Sequence, residues 1–168
     1  SAYAYFREAL LFDPYFDSGW VNLGIVYRLS GYFNQAEKTY QHALGLNSDN
    51  LTAWENLAYL YTFTGREKEA ENILAEVEYK RNRNPYYHLN LGEQEMEQEH
   101  WDQALAHFRK ALTIDRSKHE VYFGLARAYF EIGELQQSLR YLKQAKIKAH
   151  NRQDEDKYQN KLDFLGNL

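Results

Sequence analysis

Residues 51–84 read LTAWENLAYLYTFTGREKEAENILAEVEYKRNRN. Trp54, Leu57, Ala58 and Tyr61 fall three and four residues apart, and Ala70, Leu74 and Val77 repeat that spacing beyond Gly65. Steps of three and four place apolar residues on one face of a helix. Gly65 stands at the break, where a residue in the left-handed conformation ends the first helix. The stretch therefore predicts a helix, a tight turn and a second, antiparallel helix.

The same marks return on either side. Trp20, Trp54, His88 and Tyr122 follow one another at intervals of 34 residues. Leu23, Leu57, Leu91 and Leu125 keep that step, as do Gly24, Ala58, Gly92 and Ala126, and again Ala36, Ala70, Ala104 and Ser138. Starting each unit three residues before its aromatic mark divides the chain into 17–50, 51–84, 85–118 and 119–152. Gly31, Gly65 and Gly133 occupy the turns. A fixed period of this length signals an array of helical hairpins that bury their apolar faces against one another. The small residues are expected to face each other across each hairpin, letting the two axes approach while aromatics fill the wedge beyond.

The pattern W-x2-L-G-x2-Y…A-x3-F…A resembles the tetratricopeptide repeat. The likeness runs through four units without an insertion and implies an all-α, right-handed superhelical solenoid of antiparallel helix hairpins. Residues 1–16, with Ala2, Phe6, Ala9 and Pro14 in register, read as the second helix of a truncated upstream repeat. The chain is accordingly expected to be a fragment of a larger protein, with Ser1 an added residue. Beyond 152 the marks stop, and Tyr158, Leu162 and Leu165 form a single apolar stripe. Such a stripe over 153–168 predicts a C-terminal capping helix, apolar inside and polar outside.

Composition narrows the function classes. With 44% hydrophobic and 26% charged residues the chain can build a folded core. No apolar run approaches the roughly 20 residues that span a bilayer, and no signal-peptide pattern precedes the repeats, so no direct membrane insertion is expected. The compartment stays open: cytoplasmic by default, periplasmic if a parent protein carries a signal peptide. A net charge of −4 supplies no electrostatic footprint for nucleic acid. Cysteine is absent, and the six histidines include no pair spaced to hold a metal from one helix. Asp154-Glu155-Asp156 reads as the acidic first turn of the capping helix rather than as a cation site. The chain is therefore expected to have no catalytic residues, metal or cofactor, and not to be an enzyme. Its aromatic excess of 16% is taken up largely by packing residues such as Trp20, Tyr27, Tyr40, Trp54, Tyr61, Phe108, Tyr122 and Tyr129.

The resemblance also implies a site. In this family the first helices of successive hairpins line a groove, with unit positions 2, 5, 6, 9, 12 and 13 turned inward. Position 6 carries Asn22, Asn56 and Asn90, then Gly124. Two readings stand for these amides: a ladder that holds the backbone of an extended peptide, or ties between neighbouring helices. Arg28, Glu55, Tyr59, Phe63, Tyr86, Glu93, Met96, Phe123, Arg127 and Phe130 complete the implied peptide-binding groove. Glu97, Glu120 and Glu131 add negative charge, while Val21 and Ile25 stand where some relatives use lysines to clamp a terminal carboxylate. The implied partner is a protein or peptide that is extended, partly apolar and neutral to basic. A regulatory or scaffolding appendage of an attached enzyme domain is one rival, and self-association through the truncated N-terminal end is another. Asn84-Pro85-Tyr86-Tyr87 is similar to junctions in bacterial arrays attached to transglutaminase-like domains, and no catalytic residue transfers with it.

The third unit is irregular. His88 replaces the aromatic, Glu95 the tyrosine and Glu99 the turn glycine. A carboxylate at such a seam is costly to bury unless paired. Either the seam is loosened, or the carboxylate makes a specific polar contact.

Overall fold

The computed structural model describes residues 2–167. Ser1 and Leu168, the first residue of the expected half-repeat and the last of the expected cap, lie outside the described residues. The fold is an all-α solenoid of antiparallel helix hairpins, and among the described residues it contains ten helices and no strand. The chain divides into two compact units, one running to Lys80 and the other starting at Arg81.

The first unit holds α1 (Ala2–Phe12), α2 (Asp17–Leu29), α3 (Phe33–Leu46), α4 (Leu51–Phe63) and nearly all of α5 (Glu67–Asn82). Its core joins Val21, Ala36, Tyr40, Ala43, Ala53, Leu57, Ala58, Leu60, Tyr61 and Ala70. The second unit holds α6 (Pro85–Glu97), α7 (Trp101–Ile114), α8 (His119–Glu131), α9 (Leu135–Lys148) and α10 (Arg152–Gly166). There Ala104, Leu105, Phe108, Ala111, Val121, Leu125 and Ala128 form one cluster. Ala126, Leu142, Ala145, Tyr158 and Leu165 form another beneath α10.

Every hairpin turns in the same way. Tyr32, Arg66, His100 and Glu134 each donate a backbone N–H to the carbonyl five residues earlier, at 2.7–2.9 Å. The residue before each of them takes a positive φ: Gly31 at 80°, Gly65 at 78°, Gly133 at 82° and Glu99 at 59°. This is the bond that closes a helix through a left-handed residue, and glycine takes that conformation without a Cβ penalty. Glu99 carries the penalty instead. Glu99→Gly is expected to raise stability by up to about 1 kcal/mol, the residue's left-handed cost less the extra chain entropy of glycine. A urea midpoint that falls would contradict this.

The evenly spaced aromatic marks share a polar role that their spacing alone does not show. Trp20 Nε1 donates to the Pro14 carbonyl at 2.8 Å, and Trp54 Nε1 to that of Ser48 at 2.9 Å. The Tyr122 hydroxyl donates to the Arg116 carbonyl at 3.1 Å, and His88 Nε2 lies 3.3 Å from the Asn82 carbonyl. Each side chain thus reaches the carbonyl six residues before it, in the segment that enters the hairpin. His88 keeps the bond while giving up ring area, and its ring stacks on His107 at 6.0 Å between centroids.

The close approach within hairpins differs from expectation. A Cβ on Gly24 would stand 2.4 Å from the ring of Tyr40, and one on Gly92 would stand 2.4 Å from that of Phe108. At these two positions the glycine faces a buried aromatic directly, rather than a small residue with aromatics lying beyond. Ala126 does face Ser138, whose hydroxyl donates to the Ala126 carbonyl at 2.7 Å. Leu74, at the place of these rings in the second repeat, is 48% exposed.

Candidate binding faces

Helix starts fix how the site-bearing helices present their side chains. Asn50 and Asn84 cap α4 and α6, each accepting a backbone N–H at 2.9 Å, and Pro85 occupies the first turn of α6 without loss. Asp17 begins α2 and accepts the amides of Asn47 and Asn50 at 2.7 and 2.9 Å. These bonds hold its carboxyl below the usual range and tie the start of α2 to the loop before α4.

In the first unit α2 and α4 lie side by side. The Arg28 guanidinium sits over the Tyr59 ring at 4.7 Å. Tyr59 is 56% exposed and Phe63 61%, and Leu29 is exposed as well. One edge of Phe63 rests on Phe33 at 5.2 Å between centroids. Beneath this face Arg28 Nε and the Tyr40 hydroxyl are buried with no hydrogen bond among the described residues. Burial pushes the Tyr40 phenol upward against the opposing charge of Arg28. Glu55 is half-buried.

At the seam of the same unit, Glu37 accepts the Tyr61 hydroxyl at 2.8 Å and both its oxygens take Arg66 at 2.9 Å. The guanidinium also covers the Tyr61 ring at 3.7 Å. Burial, then Glu37, raises the Tyr61 phenol. Glu95, which stands in the irregular unit at the place of Tyr61, pairs with His100 Nδ1 at 2.8 Å. It is neither fully buried nor unpaired.

In the second unit α6 and α8 form the matching face. Arg127 donates to Glu93 at 2.7 Å, an ion pair one full period long. Lys118 lies over the Tyr86 ring at 4.9 Å, and Phe130 is exposed. Phe123 is half-buried against Tyr158 at 5.3 Å. Met96 corrects the expectation: it is buried in the core with Phe108 and Leu105 and offers no surface to a ligand. Its unbranched side chain fills the space inside the helix pair.

The amides also sort out. Asn22 and Asn90 are exposed and make no side-chain hydrogen bond among the described residues. Asn56 Nδ2 donates to the Thr52 carbonyl of its own helix at 2.8 Å. None of the three ties one helix to another. Gly124 ends the series for a steric reason, since a Cβ there would stand 2.7 Å from the Phe108 ring.

The implied groove omitted α10. Lys157 and Lys161 bring their ammonium groups to 4.6 and 5.7 Å from the Phe123 ring. The signal was present in the spacing of Lys157, Lys161 and Phe164, four and three residues apart on a face other than that of the Tyr158 stripe. Exposed apolar side chains also stand on and after α1: Tyr5, Leu11, Phe12 and Tyr15. Among the described residues no cluster of histidines and carboxylates could hold a metal ion, and no helix is long and apolar enough to cross a membrane.

Comparison with known proteins follows the same lines. The chain matches the tetratricopeptide repeat family over residues 27–91 and 95–161. Superkiller protein 3 of Schizosaccharomyces pombe is 26% identical over 153 residues, which cover 87% of this chain but only 11% of that protein. The crystal structure of MamA is similar at 20% identity and a TM-score of 0.46, covering 85% of this chain and 84% of that one. YrrB, described as a TPR protein with an unusual peptide-binding site, is similar at 16% identity and a TM-score of 0.47, covering 90% of this chain and 78% of that one.

Proposed function

The chain belongs to the tetratricopeptide repeat family, and we propose that it is a protein- or peptide-binding scaffold module, part of a larger protein, whose partner lies along the first helices of its hairpins. The observation that carries this reading is the exposure of Leu29, Tyr59 and Phe63 together on the α2/α4 hairpins, beside amides that no neighbouring helix uses. A folded chain gains nothing by leaving two aromatic rings and a leucine in water, and a partner gains by covering them.

The magnitudes favour the aromatics over the amides. Burying a Tyr or Phe side chain is worth about 1.5–3 kcal/mol. An asparagine hydrogen bond contributes about 0.5–1.5 kcal/mol net. Two rings with the amides of Asn22 and Asn56 amount to about 4–9 kcal/mol. The roughly 8 kcal/mol of a micromolar complex therefore needs near-complete burial of both rings or further apolar contact at Leu29. The amides fix the path of an extended backbone and the rings supply most of the affinity.

The partner's charge varies along the faces. Glu93 is already neutralised by Arg127, so the acidic character expected of α6 is confined to Glu97 and its neighbours. There a neutral to basic stretch fits. On α10 Lys157 and Lys161 are uncommitted, facing the exposed Glu131 of α8.

Selection of peptides from a displayed library on the wild-type chain, followed by calorimetric titration of the double substitution Tyr59→Ala/Phe63→Ala, tests the reading. Both side chains are more than half exposed, so the fold is kept. Loss of two rings' burial is expected to weaken the selected peptides at least about tenfold. Equal affinity for wild type and variant would overturn the assignment of this face.

A further inference from the structure

We propose that the cleft bounded by α8, α9 and α10 is a subsite for a bulky apolar side chain with a carboxylate next to it. The inference rests on the peptide-binding reading and adds the ligand chemistry of one place. The cavity has a volume of about 150 Å³ and is walled chiefly by Phe123, Ala126, Phe130, Leu142, Phe164 and Leu165. An apolar cavity of that size accommodates a benzene-sized group, which makes the anchor a phenylalanine or leucine side chain. Ser138 brings the one hydroxyl of the wall, and it is already donated to the Ala126 carbonyl. The interior therefore asks for no polar partner.

Its rim does. Three cations gather on the Phe123 ring: Lys157 at 4.6 Å, Lys161 at 5.7 Å and Arg127 at 5.8 Å. Arg127 is committed to Glu93. Lys157 and Lys161 are exposed and form no ion pair among the described residues. Within the lining Lys161 balances Glu131, the one carboxylate there, and Lys157 beside it on the Phe123 ring tips the rim to positive. An ammonium over an aromatic face keeps its remaining donors free. A ligand carboxylate adds to this arrangement and displaces nothing. The occupant is thus an acidic segment of a partner protein with an aromatic or branched aliphatic anchor beside its acid.

Three blocked peptides test the chemistry on the full chain: GSGFDEGSG, its uncharged counterpart GSGFNQGSG and its basic counterpart GSGFKRGSG. The acidic peptide is expected to bind about tenfold more tightly than the basic one, the scale of two reversed surface ion pairs at up to about 1 kcal/mol each. It should shift the NMR resonances of Phe123, Lys161 and Phe164. K157E/K161E is expected to reverse the order of the acidic and basic peptides, and E131Q to tighten the acidic one. All three substituted side chains are exposed, and circular dichroism of the variants checks that the helices persist. Equal binding of the three peptides, or an order that K157E/K161E leaves unchanged, overturns the subsite. If library-selected peptides still bind through Tyr59 and Phe63 in that case, the broader reading stands. If no peptide binds the wild-type chain anywhere, both fail.

Discussion

Phe108→Ala is expected to cost the second unit about 3–5 kcal/mol, the range for emptying a buried aromatic site. Phe108 is fully buried and lies between two helices that both carry glycine where they meet its ring. A Cβ on Gly92 of α6 would stand 2.4 Å from the ring, and one on Gly124 of α8 would stand 2.7 Å from it. Gly92→Ala should therefore destabilise despite the better helix propensity of alanine. Overpacking costs about 1–3 kcal/mol, against a propensity gain of about 1 kcal/mol. Another hairpin shows the remedy. Ala126 occupies the place of Gly92, and Leu142, almost fully buried, occupies the place of Phe108. Phe108→Leu should consequently rescue much of the Gly92→Ala loss when the two are combined. Urea unfolding of the two single variants and the double measures the coupling. Losses that simply add would show that the ring and the glycines are not matched.

The second large effect concerns α10. Tyr158 is 1% exposed and touches both Phe123 and His119. Its hydroxyl lies 2.7 Å from His119 Nδ1, while His119 Nε2 faces Glu120 at 3.6 Å and Asp154 at 3.7 Å. Tyr158→Ala is expected to undock α10 at a cost of about 3–5 kcal/mol, and Tyr158→Phe to cost about 1–3 kcal/mol by leaving the buried imidazole nitrogen without its partner. Alkaline pH tests the same contact. Burial, then the charges of Asp154 and Glu120, pushes the Tyr158 phenol from its ordinary 10.0 up to about 12. The folded chain therefore holds this proton more tightly than the unfolded chain does. The resulting stability is fully present below pH 10 and is lost as pH rises toward 12. Wild type should lose stability relative to Tyr158→Phe across that window. Parallel pH profiles for the two proteins would contradict the assignment.

Much of the fold was legible because four hairpins repeat one set of marks. The turn glycines, the apolar faces and the stripe of Tyr158, Leu162 and Leu165 all follow from helical spacing. The reason His88 can stand in a series of aromatics was not legible, because the shared feature is a bond to a carbonyl six residues back and not ring area. Spacing also says which face of a helix is apolar without saying what covers it. Met96 therefore read as a groove residue and is core. The amides of Asn22, Asn56 and Asn90 left two roles open until the absence of cross-helix bonds among the described residues became visible. Helical spacing set Gly24 and Gly92 against Ala36 and Ala104, with the aromatics beyond, whereas their neighbours are the rings of Tyr40 and Phe108. Only the geometry shows that the ring lies directly on the glycine.

The central claim is that partners are held by the first helices of the hairpins rather than by the outer ones. It is tested most directly by mapping library-selected peptides onto the isotopically labelled chain by NMR titration. Saturable shifts are expected at Asn22, Asn56, Tyr59 and Phe63, with Asn90 and Phe130 responding on the second unit, and little change along α3, α5 and α7. Shifts confined to those three outer helices, with Tyr59 and Phe63 unmoved, would contradict it.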